Sequence, residues 1–284
     1  MAGASMKDIK LRIRSVNSTM QITKAMELVA SSKLRKAKER QERSRPYFTE
    51  MRSTLASIEA STRDFSSPYQ KQREVKKRCL IMIAGDRGLA GGYNSNIIKA
   101  VTEIMQDGVP VCILPIGKRA VDFCNRNGIE ILTTEFAEAA LISISDCFTI
   151  SNLITQGYLG GQFDEVSIIY TQFVSMLTQT PTSESLLPLK PEAERKREDL
   201  RSLVLYEPRP EEVYDAIVPG YIAGMIYGAM CESVASEQGA RRTAMDAASK
   251  NAAEMIEELS LRYNRARQGA ITQEITEIVA GAEH

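Results

Sequence analysis

The feature that most constrains the fold is a long amphipathic stretch near the C-terminal end, residues 211–282. Apolar residues recur there at alternating steps of three and four, and no proline follows Pro219. This spacing is typical of a helix with a narrow apolar stripe, as in a coiled coil. The stripe comprises Met230, Val234, Met245, Ala248, Ala252, Met255, Leu259, Tyr263, Ala266 and Ala270. At 1.5 Å per residue, residues 219–279 predict a helix of about 90 Å, which requires a partner helix.

Three glycines follow one another at four-residue spacing near the start of this helix: Gly220, Gly224 and Gly228. Each costs about 1 kcal/mol relative to alanine inside a helix, so the spacing indicates close packing against another element. The surrounding apolar run, residues 217–230, is about fourteen residues long, whereas a membrane span needs about 20. We therefore expect this run to be buried against protein.

The partner helix is predicted at the other end of the chain, over residues 6–61. Its apolar stripe consists of Ile9, Ile13, Val16, Met20, Met26 (or its neighbour Thr23), Val29, Leu34 and Ala37. Pro46 predicts either a kink or a short break, with helix on both sides. The two terminal segments are expected to form a long antiparallel coiled coil.

Charge supports this pairing. Residues 7–45 carry twelve Lys or Arg against four acids, a net charge of +8, and residues 207–284 carry thirteen acids against seven Lys or Arg, a net charge of −6. Opposite charges on two long helices favour their association. Nucleic-acid binding by the basic end is the alternative, but acids are interspersed there and aromatic residues are scarce, so we expect no nucleic-acid partner.

Between the helices, the apolar pattern changes to short continuous runs that alternate with helical segments. The predicted strands are residues 79–84, Val111–Ile116, 129–134, 165–172 and 202–206, and helices are expected from residues 93–96 onward, over Lys118–Asn127 and over 143–158. Such alternation indicates a Rossmann-like α/β domain with a mostly parallel sheet. Residues 62–77 and 180–199 are predicted to be connections, the latter flexible. The chain thus divides into residues 1–61, 78–206 and 211–284.

A glycine-rich segment, residues 84–94, follows the first strand, where nucleotide-binding proteins cradle phosphate. Its spacing, GxxGxxGG, matches neither GxGxxG nor GxxxxGK[ST]. A tight strand-to-helix turn is the simpler interpretation, and we expect no bound cofactor. A nucleotide-binding α/β enzyme with a coiled-coil oligomerisation arm remains the alternative.

The residue inventory gives little support for catalysis. The one histidine is the terminal His284, which leaves no partner for a serine or cysteine nucleophile and no cluster of metal ligands. Five cysteines form no CxxC pair and lie mostly in apolar surroundings, so buried free thiols are expected. No secretory signal is recognisable, which predicts a protein in the cytosol or on the cytosolic side of a membrane assembly.

The end of the long helix carries an unusual density of β-branched apolar residues: Ile271, Ile275, Ile278 and Val279. A helix tip that projected beyond its partner with such a surface would aggregate unless other subunits surrounded it.

Three blocks of sequence resemble the gamma subunit of the rotary ATP synthase. They are residues 22–33 (ITKAMELVASSK), residues 86–94 (DRGLAGGYN) and the final helix tip, residues 263–282. The blocks lie in the order expected for that family, and the resemblance extends over essentially the whole chain. It implies an antiparallel coiled-coil shaft whose tip turns inside the hexamer of alpha and beta subunits. It also implies an α/β domain without a nucleotide, which meets the epsilon subunit and the membrane ring of c subunits.

The resemblance also implies which residues contact the stator. Lys24 and Met26 are expected where the shaft meets the beta-subunit lever. Polar contacts to the catalytic subunits are expected from Arg267, Gln268, Thr272 and Glu274, and an apolar collar would involve Ile275, Ile278 and Val279. The function implied is coupling of ion flow to ATP synthesis or hydrolysis, without catalysis by the chain itself. The place implied is the cytoplasmic face of a bacterial plasma membrane, reached only indirectly through the ring.

Overall fold

A computed structural model describes residues 6–61, 65–190 and 206–282. The chain forms two compact units, one made of Met1–Ser31 with Arg241–His284 and the other of Ser32–Ala240. Helix α1 (Met6–Ser61) and helix α5 (Pro210–Ala282) each contribute residues to both units. The two terminal helices predicted from periodicity are therefore confirmed. Of the two alternatives at Pro46, a break is excluded, because α1 continues through it.

The second unit contains a five-stranded sheet. Its strands are β1 (Arg78–Ile83), β2 (Val111–Ile116), β3 (Glu130–Ile131), β4 (Glu165–Phe173) and β5 (Gln179–Leu187). They lie in the order β3-β2-β1-β4-β5, with β5 antiparallel to β4 and every other pair parallel. The prediction of a mostly parallel sheet is confirmed.

The prediction of a flexible connection over residues 180–199 is wrong for its first half, which forms β5. This strand carries mainly polar residues and contains Pro181, so it lacks the apolar signature of the other strands. Its position explains the composition, because proline and polar side chains are tolerated on an edge strand. The predicted strand at 129–134 shrinks to two paired residues, and most of the one at 202–206 lies outside the described residues.

Three helices cover the sheet: α2 (Tyr93–Ile104), α3 (Lys118–Asn127) and α4 (Ile144–Leu159). Helix α3 has the predicted bounds, and α4 begins after Ser143, whose hydroxyl caps the helix in a reciprocal pair with Asp146. One face of the sheet packs on α2 and α3. The other face packs on α4 and the beginning of α5, with the core side chains Ile81, Leu114, Ile168, Ile150, Ile154, Val218, Ile222 and Ile226.

The apolar run at the start of α5 is buried, as expected. By length and composition α5 could cross a membrane, but half of its most apolar stretch is buried inside the protein. The glycine spacing reflects packing at two of its three positions. A Cβ at Gly224 would lie 2.0 Å from Cδ1 of Phe48, and one at Gly220 would lie 2.8 Å from Cε of Met51, whereas Gly228 faces open space. All five cysteines are buried free thiols, which confirms that prediction.

Candidate functional site

In the first unit, two polar contacts fix the direction of the helix pair. The hydroxyls of Thr23 and Ser249 lie 2.7 Å apart, and the Arg242 guanidinium lies 3.9 Å from the Glu27 carboxylate. As the residue number rises along α1 it falls along α5, so the two segments are antiparallel. Thr23 is buried, and its partner hydroxyl satisfies it inside the interface.

Buried residues of this pair follow a narrow stripe, as predicted, but three members of the predicted stripe are wrong. Val29 and Met255 are 55% and 41% exposed, and Ala270 is exposed as well. Ala30, which is 1% exposed, takes the place of Val29. The periodicity located the stripe on α1 to within one residue, and the smaller side chain lies inside because the helices approach closely.

The buried stripe ends well before α5 does. Because Thr23 faces Ser249, the first described turn of α1 at Met6 lies level with a position near residue 264 of α5. Among the described side chains of α5, that of Ala266 is the last that is half-buried, and every residue from 267 to 278 is exposed. The apolar side chains Ile271, Ile275 and Ile278 are 47%, 57% and 66% exposed. We call residues 267–278 the exposed tip.

Polar groups of the exposed tip are satisfied within the helix itself. The hydroxyl of Thr272 donates to the Gln268 carbonyl at 2.9 Å, and the Gln273 amide donates to the Glu277 carboxylate at 2.9 Å. The side chains of the expected contact residues Arg267, Gln268, Thr272, Glu274, Ile275 and Ile278 all lie on this exposed tip. The side chain of Val279 is outside the described part of the chain.

The other two expected contact residues lie elsewhere on the same unit. Lys24 is exposed and Met26 is half-buried, close to the level of Thr23 and Ser249. Along the axis this level is about 27 Å from Arg267, since roughly eighteen residues at 1.5 Å per residue separate them. The structure therefore places the expected contact residues in two zones of one helix pair.

Reasoning from the sequence missed three exposed apolar residues of α1 that are close to Lys24 in the chain. Ile22 and Leu28 are 57% and 67% exposed, and the third is Val29, which was wrongly assigned to the buried stripe. Their signal was present in the sequence, because apolar residues outside the stripe phase of a helix have no place in its core. In the second unit, Leu89 is 64% exposed at a φ of 62°, a backbone conformation that costs a non-glycine residue roughly 1–2 kcal/mol.

The glycine-rich segment is a tight turn filled by its own acid. The Asp86 carboxylate accepts hydrogen bonds from the backbone amides of Lys118, Ala139 and Ala140, at 3.2, 3.0 and 3.0 Å. The Lys118 amide is at the start of α3, so the carboxylate occupies the position at which the N-terminus of that helix could bind an anion. The neighbouring turn between β2 and α3 contains Gly117, which has a φ of 97°. A Cβ at this position would fall 2.1 Å from the Ala84 carbonyl oxygen, so no other residue fits there.

The crevice in which such sheets bind ligands is also filled by the chain itself. In open α/β sheets, ligands bind outside the carboxyl ends of the strands where the strand order reverses, here between β1 and β4. At that point two side chains of α5 occupy the crevice. The Ser233 hydroxyl lies 3.0 Å from the Tyr93 hydroxyl, and the Glu237 carboxylate lies next to Gly85, 2.9 Å from where a Cβ would be. Within residues 6–61, 65–190 and 206–282, no three His, Cys, Asp or Glu side chains could together hold a metal ion.

One unit thus presents an antiparallel helix pair with an exposed apolar tip, and the other an α/β domain whose ligand crevice is closed by its own helix. These features define a protein with a coiled-coil unit and an α/β unit. Comparison with known proteins gives the family. The family model described as ATP synthase matches residues 5–284. ATP synthase gamma chains from Alkaliphilus metalliredigens and Ruminococcus albus are 48% and 47% identical, with 99% and 97% of this chain and 99% and 96% of those chains aligned.

The sodium-ion-specific ATP synthase gamma chain of Acetobacterium woodii is 43% identical, with 98% of each chain aligned. Among solved structures, the central stalk and c-ring of Tetrahymena thermophila mitochondrial ATP synthase contains a chain of 25% identity and TM-score 0.59. The alignment covers 80% of this chain and 99% of the Tetrahymena chain. A chain of the Euglena gracilis enzyme has the same fold, with a TM-score of 0.66, 16% identity and coverage of 98% and 93%. The protein belongs to the ATP synthase gamma-chain family, and gamma chains are non-catalytic subunits.

Proposed function

We propose that the chain is the central rotor shaft of a membrane-attached ATP synthase, which couples ion flow through the membrane to conformational cycling of a catalytic hexamer. The observation that carries the proposal is the exposed tip. Twelve consecutive residues, 267–278, are exposed, and they include three large apolar side chains. Such a surface is stable in water only when other subunits surround it.

The composition of the tip suits a surface that turns inside a collar. Ile275, Ile278 and Val279 offer no side-chain hydrogen bonds, so a surrounding apolar sleeve would hold them equally well at every angle. Dispersion and hydrophobic contacts are non-directional, whereas hydrogen bonds prefer defined angles. Arg267, Gln268, Thr272 and Glu274 supply directional contacts between one residue and about two turns before Ile275, where catalytic subunits in different conformations would engage them in turn.

The second zone would contact the levers of the catalytic subunits. Lys24 provides an exposed positive charge, and Leu28, one turn further along α1, provides apolar surface beside it. Ile22 and Met26, which are also one turn apart, form a second apolar patch around the same helix. An acidic lever tip with apolar flanks is complementary to this zone. Contact there would push the shaft at a radius from the helix axis, which is the requirement for converting a subunit movement into torque.

The partners proposed are the alpha and beta subunits around the helix pair, and the epsilon subunit and the c-subunit ring at the α/β domain. The aligned relatives are ATP synthase gamma chains, and the Tetrahymena structure comprises a central stalk together with a c-ring. The place that fits is the cytoplasmic face of a bacterial plasma membrane, with contact to lipid only through the ring.

Removal of the tip tests this function directly. A chain that ends at Ala266 loses only residues that the structure describes as exposed, together with the terminal residues 279–284, so both units should remain folded. In the complete complex reconstituted into vesicles, we expect fewer ions pumped per ATP hydrolysed than with the full chain. Pumping per ATP that equals that of the full chain would remove the tip from the coupling mechanism.

The alternative, a nucleotide-binding enzyme with an oligomerisation arm, is disfavoured by the filled crevice and by the family. A titration of the isolated chain with ATP and ADP separates the two functions. We expect no saturable binding at millimolar nucleotide, whereas stoichiometric binding that Asp86→Ala strengthens would favour the alternative.

A further inference from the structure

Strand β4 is longer than the strand beside it, and this leaves part of its edge without a strand partner. The parallel pairing of β1 with β4 ends at Met82 and Ile169, whereas β4 continues to Phe173. Backbone groups of alternate residues in a strand point to the same side. The groups of Thr171 therefore continue the row that β1 satisfies up to Ile169, and they need other partners.

Helix α5 supplies those partners from its side chains. The Thr171 amide donates to the Ser233 hydroxyl at 3.2 Å, and the Ser236 hydroxyl donates to the Thr171 carbonyl at 3.0 Å. Ser233 also contacts α2, because its hydroxyl lies 3.0 Å from the Tyr93 hydroxyl. A helix thus completes the hydrogen bonding of a strand edge without becoming a strand.

These contacts are buried and lie on one face of the helix. Ser233 and Ser236 are both 0% exposed and Thr171 is 2% exposed. Residues 233 and 236 are three apart, so both point toward the same neighbour. At Gly239, one turn further, a Cβ would come within 3.2 Å of the Phe173 ring, so the small residue keeps the helix close to the strand end.

We propose that Ser233 and Ser236 form a key that locks the rotational angle of α5 against the sheet and transmits torque between the α/β domain and the shaft. The apolar contacts of α5 with the domain are individually non-directional, but the three hydrogen bonds of the key, to Thr171 and Tyr93, are directional, so they resist rotation of the helix about its own axis. The key lies within seven residues of Ala240, where the α/β unit ends along α5. A twist of the following helix therefore loads these contacts close to the point at which it enters the domain.

The proposal rests on the proposed rotor function and names the positioning residues within it. Other directional contacts of α5 with the domain lie near its start, such as the Ser151 hydroxyl on the Pro219 carbonyl at 2.6 Å. If the key were absent, the helix between residues 219 and 240 would twist elastically before the domain followed. Energy would be stored and partly lost in that twist during each step.

The test measures angular stiffness in the assembled complex. A bead attached through Lys99→Cys reports the domain, because the Lys99 side chain on α2 is 78% exposed and all five native cysteines are buried. In complexes paused during ATP hydrolysis, we expect Ser233→Ala with Ser236→Ala to widen the angular fluctuation of the bead. When pumping against an opposing ion gradient, the same variant should also move fewer ions per ATP.

Thr155→Ala is the matched control. Thr155 is 3% exposed, and its hydroxyl donates to the Ser151 carbonyl of its own helix at 2.8 Å. This variant therefore loses a buried hydrogen bond that lies within α4 and does not involve α5. The proposal would be overturned if the double variant gave the same bead fluctuation and the same ion-to-ATP ratio as Thr155→Ala.

A second pair of variants keeps the test decisive if the double variant does not assemble. Ser236→Thr retains a hydroxyl donor for the Thr171 carbonyl, whereas Ser236→Val has a similar volume and no donor. The key predicts that stiffness survives in the first and is lost in the second, and equal stiffness in both would contradict it. If the bead on the otherwise unchanged chain does not rotate at all, the rotor function itself fails, a result distinct from failure of the key.

Discussion

Replacement of Gly224 by alanine should destabilise the protein, whereas the same replacement at Gly228, one helical turn further along α5, should stabilise it. Alanine is favoured over glycine inside a helix by about 1 kcal/mol at both positions. At Gly228 a Cβ meets nothing within 4 Å, so the full gain remains. At Gly224 the new Cβ would lie 2.0, 2.3 and 2.8 Å from three atoms of the Phe48 ring, which must move.

Moving this ring is costly because Phe48 packs against the rings of Tyr47 and Tyr227, with centroids at 5.3 and 6.3 Å. Overpacking of this kind typically costs about 1–3 kcal/mol. The net effect at Gly224 is then a loss of roughly 0–2 kcal/mol, and the two variants should differ by about 1–3 kcal/mol.

Denaturant unfolding of the two variants beside the unchanged chain measures this difference as a shift in midpoint at constant slope. Gly220→Ala is an informative third variant, because the atom nearest to its Cβ is the flexible end of Met51 at 2.8 Å, and its stability should fall between the other two. If Gly224→Ala stabilises the chain as much as Gly228→Ala, the close approach of α1 and α5 inferred at this point is wrong.

Three further predictions concern single residues. Met26→Lys should lower the number of ions pumped per ATP, because it adds a positive charge to the apolar patch that an acidic lever would contact. Ala25→Lys on the exposed surface is its control, and normal coupling would remove Met26 from the interface. Leu89→Gly should raise stability by up to about 1 kcal/mol by relieving the positive φ of 62°, measured by denaturant midpoint, and a fall in stability would contradict the strain. Burial raises the pKa of Glu232, and its neighbours Glu184, Arg45 and Gln41 modify the shift. A carboxyl group whose pKa is raised by folding contributes stability that is present at acidic pH and is lost as the pH rises through the folded-state pKa. Glu232→Gln should therefore stabilise the protein at neutral pH and lose that advantage in acid. A gain in stability that does not depend on pH would refute this assignment.

The helices and the central strands follow from sequence because each carries its own periodic signal. The bounds predicted for the helix Lys118–Asn127 are those that the structure shows, and the continuous apolar run of β2 likewise matches Val111–Ile116. Strand β5 carries no such signal. Its pairing with β4 supplies the stability that its polar residues and Pro181 do not, and such pairing cannot be found from local sequence.

The sequence alone predicts the composition of the exposed tip but not its exposure, which depends on where the two helices stop facing each other. That offset is fixed by contacts such as Thr23 with Ser249, which are 226 residues apart in sequence. The assignment of Val29 to the buried stripe failed for a related reason. On a helix pair that approaches closely, alanine fills the interface and the larger neighbour is left outside.

The filling of the ligand crevice by α5 could not have been predicted from the glycine-rich segment alone. Its spacing disfavours a phosphate cradle, but the physical reason lies in distant residues. Tyr93 and Ser233 are 140 residues apart, and Thr171 and Ser233 are 62 apart. Only the folded chain shows that a helix side chain has taken the place of a ligand.

If this chain is the rotor shaft, it must turn as the catalytic hexamer hydrolyses ATP. The most direct measurement attaches a bead to Lys99→Cys in a complex of this chain with its alpha and beta subunits, whose stator is fixed to a surface. We expect rotation in one direction, in discrete steps, with one copy of the chain in each complex. A bead that stays still while the same complexes hydrolyse ATP would contradict the rotor function.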